Sequence, residues 1–166
     1  MGHKEHKEKA PEKIRCAVIT VSDTRTEETD TSGKLIKKML EEKNHEITAY
    51  HIVKDEKEQI ENLLKDLAAT NVQAIITNGG TGVSKRDRTF EVISSLIEKK
   101  IEGFGELFRY LSYKEIGSSA MMSRATAGVC KGQIIIAVPG SENAVRLAMA
   151  SLVLPELGHM VWEINR

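Results

Sequence analysis

Three aspartates and a glycine cluster carry the chemistry that this sequence offers. Gly79, Gly80 and Gly82 fall within four positions, followed by Ser84, Lys85, Arg86, Asp87 and Arg88, and then by Thr89, which opens a helical pattern. Closely spaced glycines let the main chain take positive φ and turn its N–H groups towards an anion. A helix N-terminus adds further unpaired N–H groups and a partial positive charge. A phosphate or pyrophosphate suits such a loop, although the same composition also serves a plain corner. Asp23, Asp55 and Asp87 each follow an expected strand. Two or three carboxylates beside phosphates are what Mg²⁺ requires. A metal bridging phosphate oxygens stabilises the charge that develops in phosphoryl or nucleotidyl transfer. Lys85, Arg86 and Arg88 would offset the remaining negative charge; they also fit a solvated surface loop.

Other chemistries find no support in the residues. The glycine cluster is not Gly-x-x-x-x-Gly-Lys-Ser/Thr, and it lacks the Gly-x-Gly-x-x-Gly of dinucleotide folds. No histidine lies in any of these loops, and no serine elbow precedes an acid and a histidine, so acyl transfer is poorly supported.

The elements that must hold these residues alternate between strand and helix. Ile14 to Val21 is almost continuously apolar and β-branched, as a central strand requires, and it ends in Ser22 and Asp23. Those two either border a ligand at the carboxyl end of the strand or make local turns. Thr31 to Gly33 introduces an amphipathic helix with Leu35, Ile36, Met39 and Leu40 on one face. Glu46 to Val53 reads as the second strand and delivers Asp55 to a helix running to about Ala69. With Glu58 three residues on, Asp55 fits a capping box as well as a catalytic role. Val72 to Thr77 forms a third strand, leading into the glycine loop and a helix closed by Lys99 and Lys100. Glu102 to Ile116 is a further helix with Leu107, Phe108 and Leu111 inward, and Phe104, Phe108, Tyr110 and Tyr113 serve the core or a subunit contact. The small residues and methionines of 118–127 predict another helix. Gln133 to Val138 is a last buried strand, and Pro139, Gly140 and Ser141 break it before a helix over Asn143 to Leu154; Pro155 begins or kinks the closing segment. This order implies an α/β fold, a mainly parallel sheet between two helical layers, with the strand-end loops converging on one edge.

Composition sets the outer limits. The 166 residues fit one domain over 14–166, preceded by a charged tail over 1–13 whose His3 and His6 lack companions at metal-ligand spacing. Lys plus Arg equals Asp plus Glu at 24 each, so nothing draws the chain as a whole to nucleic acid or an anionic membrane. Cys16 and Cys130 sit in apolar surroundings and read as buried thiols, with a disulfide between them left open. No apolar run approaching a membrane span and no signal-peptide core is evident, which predicts a cytoplasmic protein.

Six motifs in order then resemble one family. NGGTGVSKRDRT (Asn78 to Thr89), VSDTR (Val21 to Arg25), VKDE (Val53 to Glu56), GFGELFR (Gly103 to Arg109), SRATAG (Ser123 to Gly128) and PGS (Pro139 to Ser141) are similar to the MoaB, MogA and gephyrin G-domain family of molybdenum cofactor biosynthesis. The resemblance spans essentially Ile14 to Arg166. It implies a three-layer α/β/α molybdopterin-binding fold, assembled as a trimer or a hexamer of two trimers, with other enzymes of that pathway as partners. It further implies binding of molybdopterin and adenylylation of its terminal phosphate with Mg-ATP, or, in the alternative, a non-catalytic carrier or scaffold. Carried over by motif, Gly79, Gly80, Thr81, Gly82 and Ser84 hold phosphate, and Asp55 and Asp87 are the catalytic, magnesium-binding acids. Pro139, Gly140 and Ser141 line the pterin side, with Ser22 and Asp23 on its border. The chain departs from the MogA-like branch at Arg88 and Phe90, where an aliphatic residue and a proline are usual.

Overall fold

Strand β1 (Arg15–Val21) is buried along almost its whole length, because helices cover both faces of the sheet it centres. The computed structural model describes residues 9–166, so His3, His6 and the start of the expected tail lie outside it. With β2 (Glu46–Val53), β3 (Ala74–Asn78), β4 (Lys99–Lys100), β5 (Thr126–Cys130) and β6 (Gln133–Val138), β1 forms a six-stranded sheet in the order β2-β1-β3-β6-β5-β4. The pairs β1–β2, β1–β3 and β3–β6 are parallel, and β5 and β4 extend the sheet antiparallel.

Alternation along the strands divides the core. Cys16, Val18, Ile76 and Ile136 face Ile36 and Leu40 of α1 (Thr31–Glu42), Phe104 and Phe108 of α4 (Glu102–Ile116), Val145 of α5 (Glu142–Ala148) and Leu157 and Val161 of α6 (Leu154–Asn165). Ala17, Ile19, Ile75 and Ile135 face Ile60, Leu64 and Leu67 of α2 (Lys57–Ala68) and Val92 and Ile93 of α3 (Thr89–Leu96). Each buried leucine, isoleucine or phenylalanine contributes roughly 1.5–3 kcal/mol, so both layers are held by many such terms. The three-layer α/β/α arrangement follows.

Several expectations are corrected. Lys99 and Lys100 do not close a helix: Ile97 turns extended, and the ladder runs on through Glu98 N–H to Val129 O and Ile101 N–H to Ala127 O, both 2.8 Å. The two exposed lysines blunt the sheet edge they occupy. Residues 118–127 are not a helix either. Gly117, at φ +68°, ends α4, a 3-10 turn covers Gly117–Met122, and β5 begins at Thr126. Lys131 and Gly132, at φ +48° and +76°, then make a two-residue hairpin to β6. Leu107 is exposed on α4, while Phe104 and Phe108 are in the core. Together with Tyr110, Tyr113, Ile116, Met121 and Met122, Leu107 forms an exposed apolar surface.

At the carboxyl end of the chain, α5 passes through a π turn over Met149–Val153 into α6. Pro155 has no N–H to donate, and the wider π turn absorbs that loss just before it. The continuous helix Glu142–Asn165 is by length and composition alone long and apolar enough to cross a membrane. Its buried stripe of Val145, Met149, Val153, Leu157 and Val161 nevertheless packs in the core. Cys16 and Cys130 are free thiols, both pushed up by burial, Cys16 to about 12.

Candidate functional site

Parallel register brings the carboxyl ends of β1, β2, β3 and β6 to one edge, and the expected site residues follow them there. Gly79 continues the ladder, its N–H donating to Val138 O at 3.0 Å. Its φ of +98° leaves no room for a side chain, since a Cβ would lie 2.2 Å from Val21 O. Gly140 of the Pro139–Ser141 turn presses on the same spot, its own Cβ position 3.2 Å from Gly79 Cα. Ser32 Oγ donates to Gly140 O at 2.6 Å, and Ser141 caps α5 by accepting from Ala144 N–H.

The next peptides of the loop are oriented by Arg124. Its N–H donates to Thr81 O at 3.0 Å, and its Nε and Nη2 donate to Gly82 O at 2.9 and 2.5 Å. In a trans peptide the N–H points opposite to the C=O, so the N–H groups of Gly82 and Val83 point away from Arg124. Neither has a hydrogen-bond partner among the described residues. Two aligned, unused donors beside glycines are what an anion needs. Glu91 pairs with Arg124, and the Phe90 ring lies 4.7 Å from its guanidinium. Arg124 and Glu91 were not among the expected site residues. An arginine in a run of small residues just before a strand was the available signal, and reading 118–127 as a helix concealed it.

Asp55 is 7 % exposed and holds the centre. It does not cap its own helix: the N-cap position of α2 is Glu56, which makes no side-chain capping hydrogen bond. Instead Oδ1 accepts the N–H of Arg88 at 3.0 Å and the hydroxyl of Thr89 at 3.3 Å, fixing the start of α3. Oδ2 lies against the glycine loop, 2.6 Å from the Cβ position of Gly80, which takes φ +68°. Burial pushes the Asp55 carboxyl up, the charges of Asp87 and Asp23 add to this, and the two hydrogen bonds oppose it.

Asp87 folds back on its own loop, Oδ2 accepting Ser84 N–H at 2.8 Å. Asp23 joins three loops. Its Oδ1 accepts Asp55 N–H at 3.2 Å, and its Oδ2 accepts from Nε and Nη2 of Arg86 at 3.1 and 2.7 Å. The Arg86 guanidinium holds the Asp23 carboxyl below its ordinary value. Arg86 is therefore engaged with Asp23, whereas Lys85 and Arg88 are exposed. Ser22 makes a local turn, its Oγ accepting from Thr24 and Arg25 N–H at 3.2 and 3.1 Å.

A buried network that the sequence reading also missed supports this edge. Asp30, fully buried, caps α1 through Gly33 N–H at 3.0 Å and accepts from Thr20 Oγ1 at 2.6 Å and from the Tyr50 hydroxyl. Asn78 Nδ2 donates to Thr20 Oγ1 at 2.9 Å, tying β3 to β1. Burial, and then the neighbouring Asp30, push the Tyr50 phenol up.

No group of three or more His, Cys, Asp or Glu able to hold a metal occurs among the described residues. Among the described residues no donor reaches Oδ2 of Asp55 or Oδ1 of Asp87, a set that fits Mg²⁺ completed by waters and phosphate oxygens.

Comparison with known proteins agrees with this architecture. Residues 17–159 match the family described as a probable molybdopterin binding domain. Over all of this chain and 99% of the relative, the sequence is 52% identical to molybdenum cofactor biosynthesis protein B of Bacillus cereus. A crystal structure of a molybdenum cofactor biosynthesis protein B superposes with a TM-score of 0.91 at 52% identity, covering 95% of this chain and 99% of that one. A solved MogA superposes with a TM-score of 0.83 at 27% identity, covering 90% and 99%.

Proposed function

The chain belongs to the molybdenum cofactor biosynthesis protein B (MoaB) family, and from that membership we propose that it binds molybdopterin and adenylylates its terminal phosphate with Mg-ATP. The observation that carries the reading is the buried Asp55 carboxylate, with one oxygen against Gly80 of the glycine loop and the other fixing the start of α3. The free N–H groups of Gly82 and Val83 bind the acceptor phosphate, with Gly79, Gly80, Thr81 and Ser84 shaping the loop. Asp55 and Asp87 would hold the metal, which would offset charge on the nucleotide phosphates. An oxygen of molybdopterin's terminal phosphate attacks the α-phosphorus of ATP, the α–β P–O bond breaks, and pyrophosphate leaves. The pterin lies along Pro139, Gly140 and Ser141, bordered by Ser22 and Asp23, while Lys85 and Arg88 contribute positive charge.

On this reading residues 14–166 act as one cytoplasmic domain in molybdenum cofactor biosynthesis. The exposed apolar surface of α4 and the turn after it supports assembly as a trimer, or a hexamer of two trimers, and contact with other enzymes of the pathway. Incubation with molybdopterin and Mg-ATP tests the reaction: equal amounts of adenylylated pterin and pyrophosphate are expected, and their absence where a MogA-type control is active overturns it. A second reading, a non-catalytic carrier, draws on Arg86 being engaged with Asp23 and so held from a nucleotide. Calorimetry separates the two, because a carrier shows no magnesium-dependent affinity for ATP.

A further inference from the structure

A cavity of about 250 Å³ opens between α3, α4 and the start of β5; of the residues around it only Phe90 and Arg124 take part in the site described above, where Arg124 braces the glycine loop. Lys100, Arg109 and Arg124 bring three cations to its wall. Two of them are neutralised, Lys100 by Glu102 at 3.1 Å and Arg124 by Glu91. Arg109 has no carboxylate partner among the described residues, and its only hydrogen bonds run from Nη1 to the carbonyls of Ser123 and Ala125 at 3.4 and 3.3 Å. Its Nε and Nη2 donate to nothing among the described residues. A half-buried guanidinium with two adjacent unused donors presents the fork that carboxylates and phosphates accept in pairs.

A further feature shapes that fork. Gly105 stands one helical turn before Arg109, and a Cβ there would lie 2.9 and 3.0 Å from the guanidinium nitrogens. The missing side chain is what lets the guanidinium lie back along α4.

We propose that this cavity is a second anion site, in which the unused Nε and Nη2 of Arg109 receive the carboxylate or phosphate group of a small molecule. The site does not depend on the adenylylation proposed for the glycine loop.

The test is a titration of ¹⁵N-labelled full-length protein with inorganic phosphate and, separately, with acetate, following backbone amides. Saturable shifts of Gly105, Ser123 and Thr126 are expected, and the tighter of the two anions identifies the group bound. Arg109→Gln weakens that midpoint about tenfold or more, while any response at Gly79 and Gly80 keeps its own midpoint. Absence of saturable shifts with both anions overturns the site, as does an unchanged midpoint in Arg109→Gln. Should Arg109→Gln fail to fold, Arg109→Lys replaces it: charge is kept but the fork is lost, and weakened binding is again expected, with an unchanged midpoint overturning the proposal.

Discussion

Arg124 grips Gly82 across 42 positions of sequence, two guanidinium nitrogens converging on one carbonyl at 2.9 and 2.5 Å. The contact turns that peptide so that the N–H of Val83 points the other way, where the proposed function puts the acceptor phosphate. Arg124 is thus a positioning residue for the glycine loop.

Replacing it tests that role. Arg124→Lys keeps a charge but loses the paired donors, and affinity for molybdopterin is expected to fall about tenfold, the scale of one charge-assisted hydrogen bond. A purely structural role predicts a drop in Tm with unchanged affinity. Calorimetry alongside thermal unfolding distinguishes them.

Asp55→Asn separates chemistry from stability. The asparagine oxygen can still accept from Arg88 N–H and Thr89 Oγ1, so the start of α3 is preserved. Because the Asp55 carboxyl is raised in the folded state, its ionisation costs stability as pH rises through the carboxylate range. The variant should therefore be at least as stable as the parent at pH 7, with a flatter pH dependence across the carboxylate range. Adenylylation should fall about a hundredfold or more if the carboxylate holds metal near the developing charge. Retained turnover removes Asp55 from the mechanism.

Two glycines with similar backbone angles should respond differently to alanine. At Gly80, φ +68°, the new Cβ would lie 2.0 Å from Thr89 Oγ1 and 2.6 Å from Asp55 Oδ2, whereas at Gly132, φ +76°, nothing lies within 4 Å. Gly132→Ala should cost about 1–2 kcal/mol, the backbone penalty alone. Gly80→Ala adds the collision and should cost several kcal/mol and abolish ligand binding. Urea denaturation of both variants checks the difference; equal losses would mean that Gly80 is not packed against Asp55.

Cys16 should make the fold sensitive to alkali. In the unfolded chain its thiol ionises near 9, while in the core it stays protonated to about 12. Its contribution is intact below pH 9 and is lost as pH rises towards 12, by up to about 4 kcal/mol. Cys16→Ala should lower stability at pH 7 yet lose less of it between pH 8 and 10.5. Iodoacetamide at pH 8 should spare Cys16 until the protein is unfolded.

Much of the fold was legible because periodicity is a local property. The continuous apolar runs of β1 and β6, the glycine loop after β3 and the helix Glu102–Ile116 were all apparent from residue order. The short strands were not. Lys99 and Lys100 look like a helix end, and become a strand only because β5 offers them an edge. Likewise the run over 118–127 looks helical until Gly117 stops α4 and Thr126 meets Ala137 of β6.

The sequence by itself determined which residue types gather at the strand ends, and its ordered motifs identified the family. Tertiary structure alone decided how each group is used. Asp55 seemed to cap the helix that follows it, but it holds the start of α3, 33 residues away. Arg86 seemed free for phosphate, but it is bound to Asp23, and Arg124 orients the loop without belonging to it. Propensity and capping act over a few residues, whereas these partners are set by the register of parallel strands and the burial that follows from it. The glycine loop was visible in the residue order; the direction of its N–H groups required the fold.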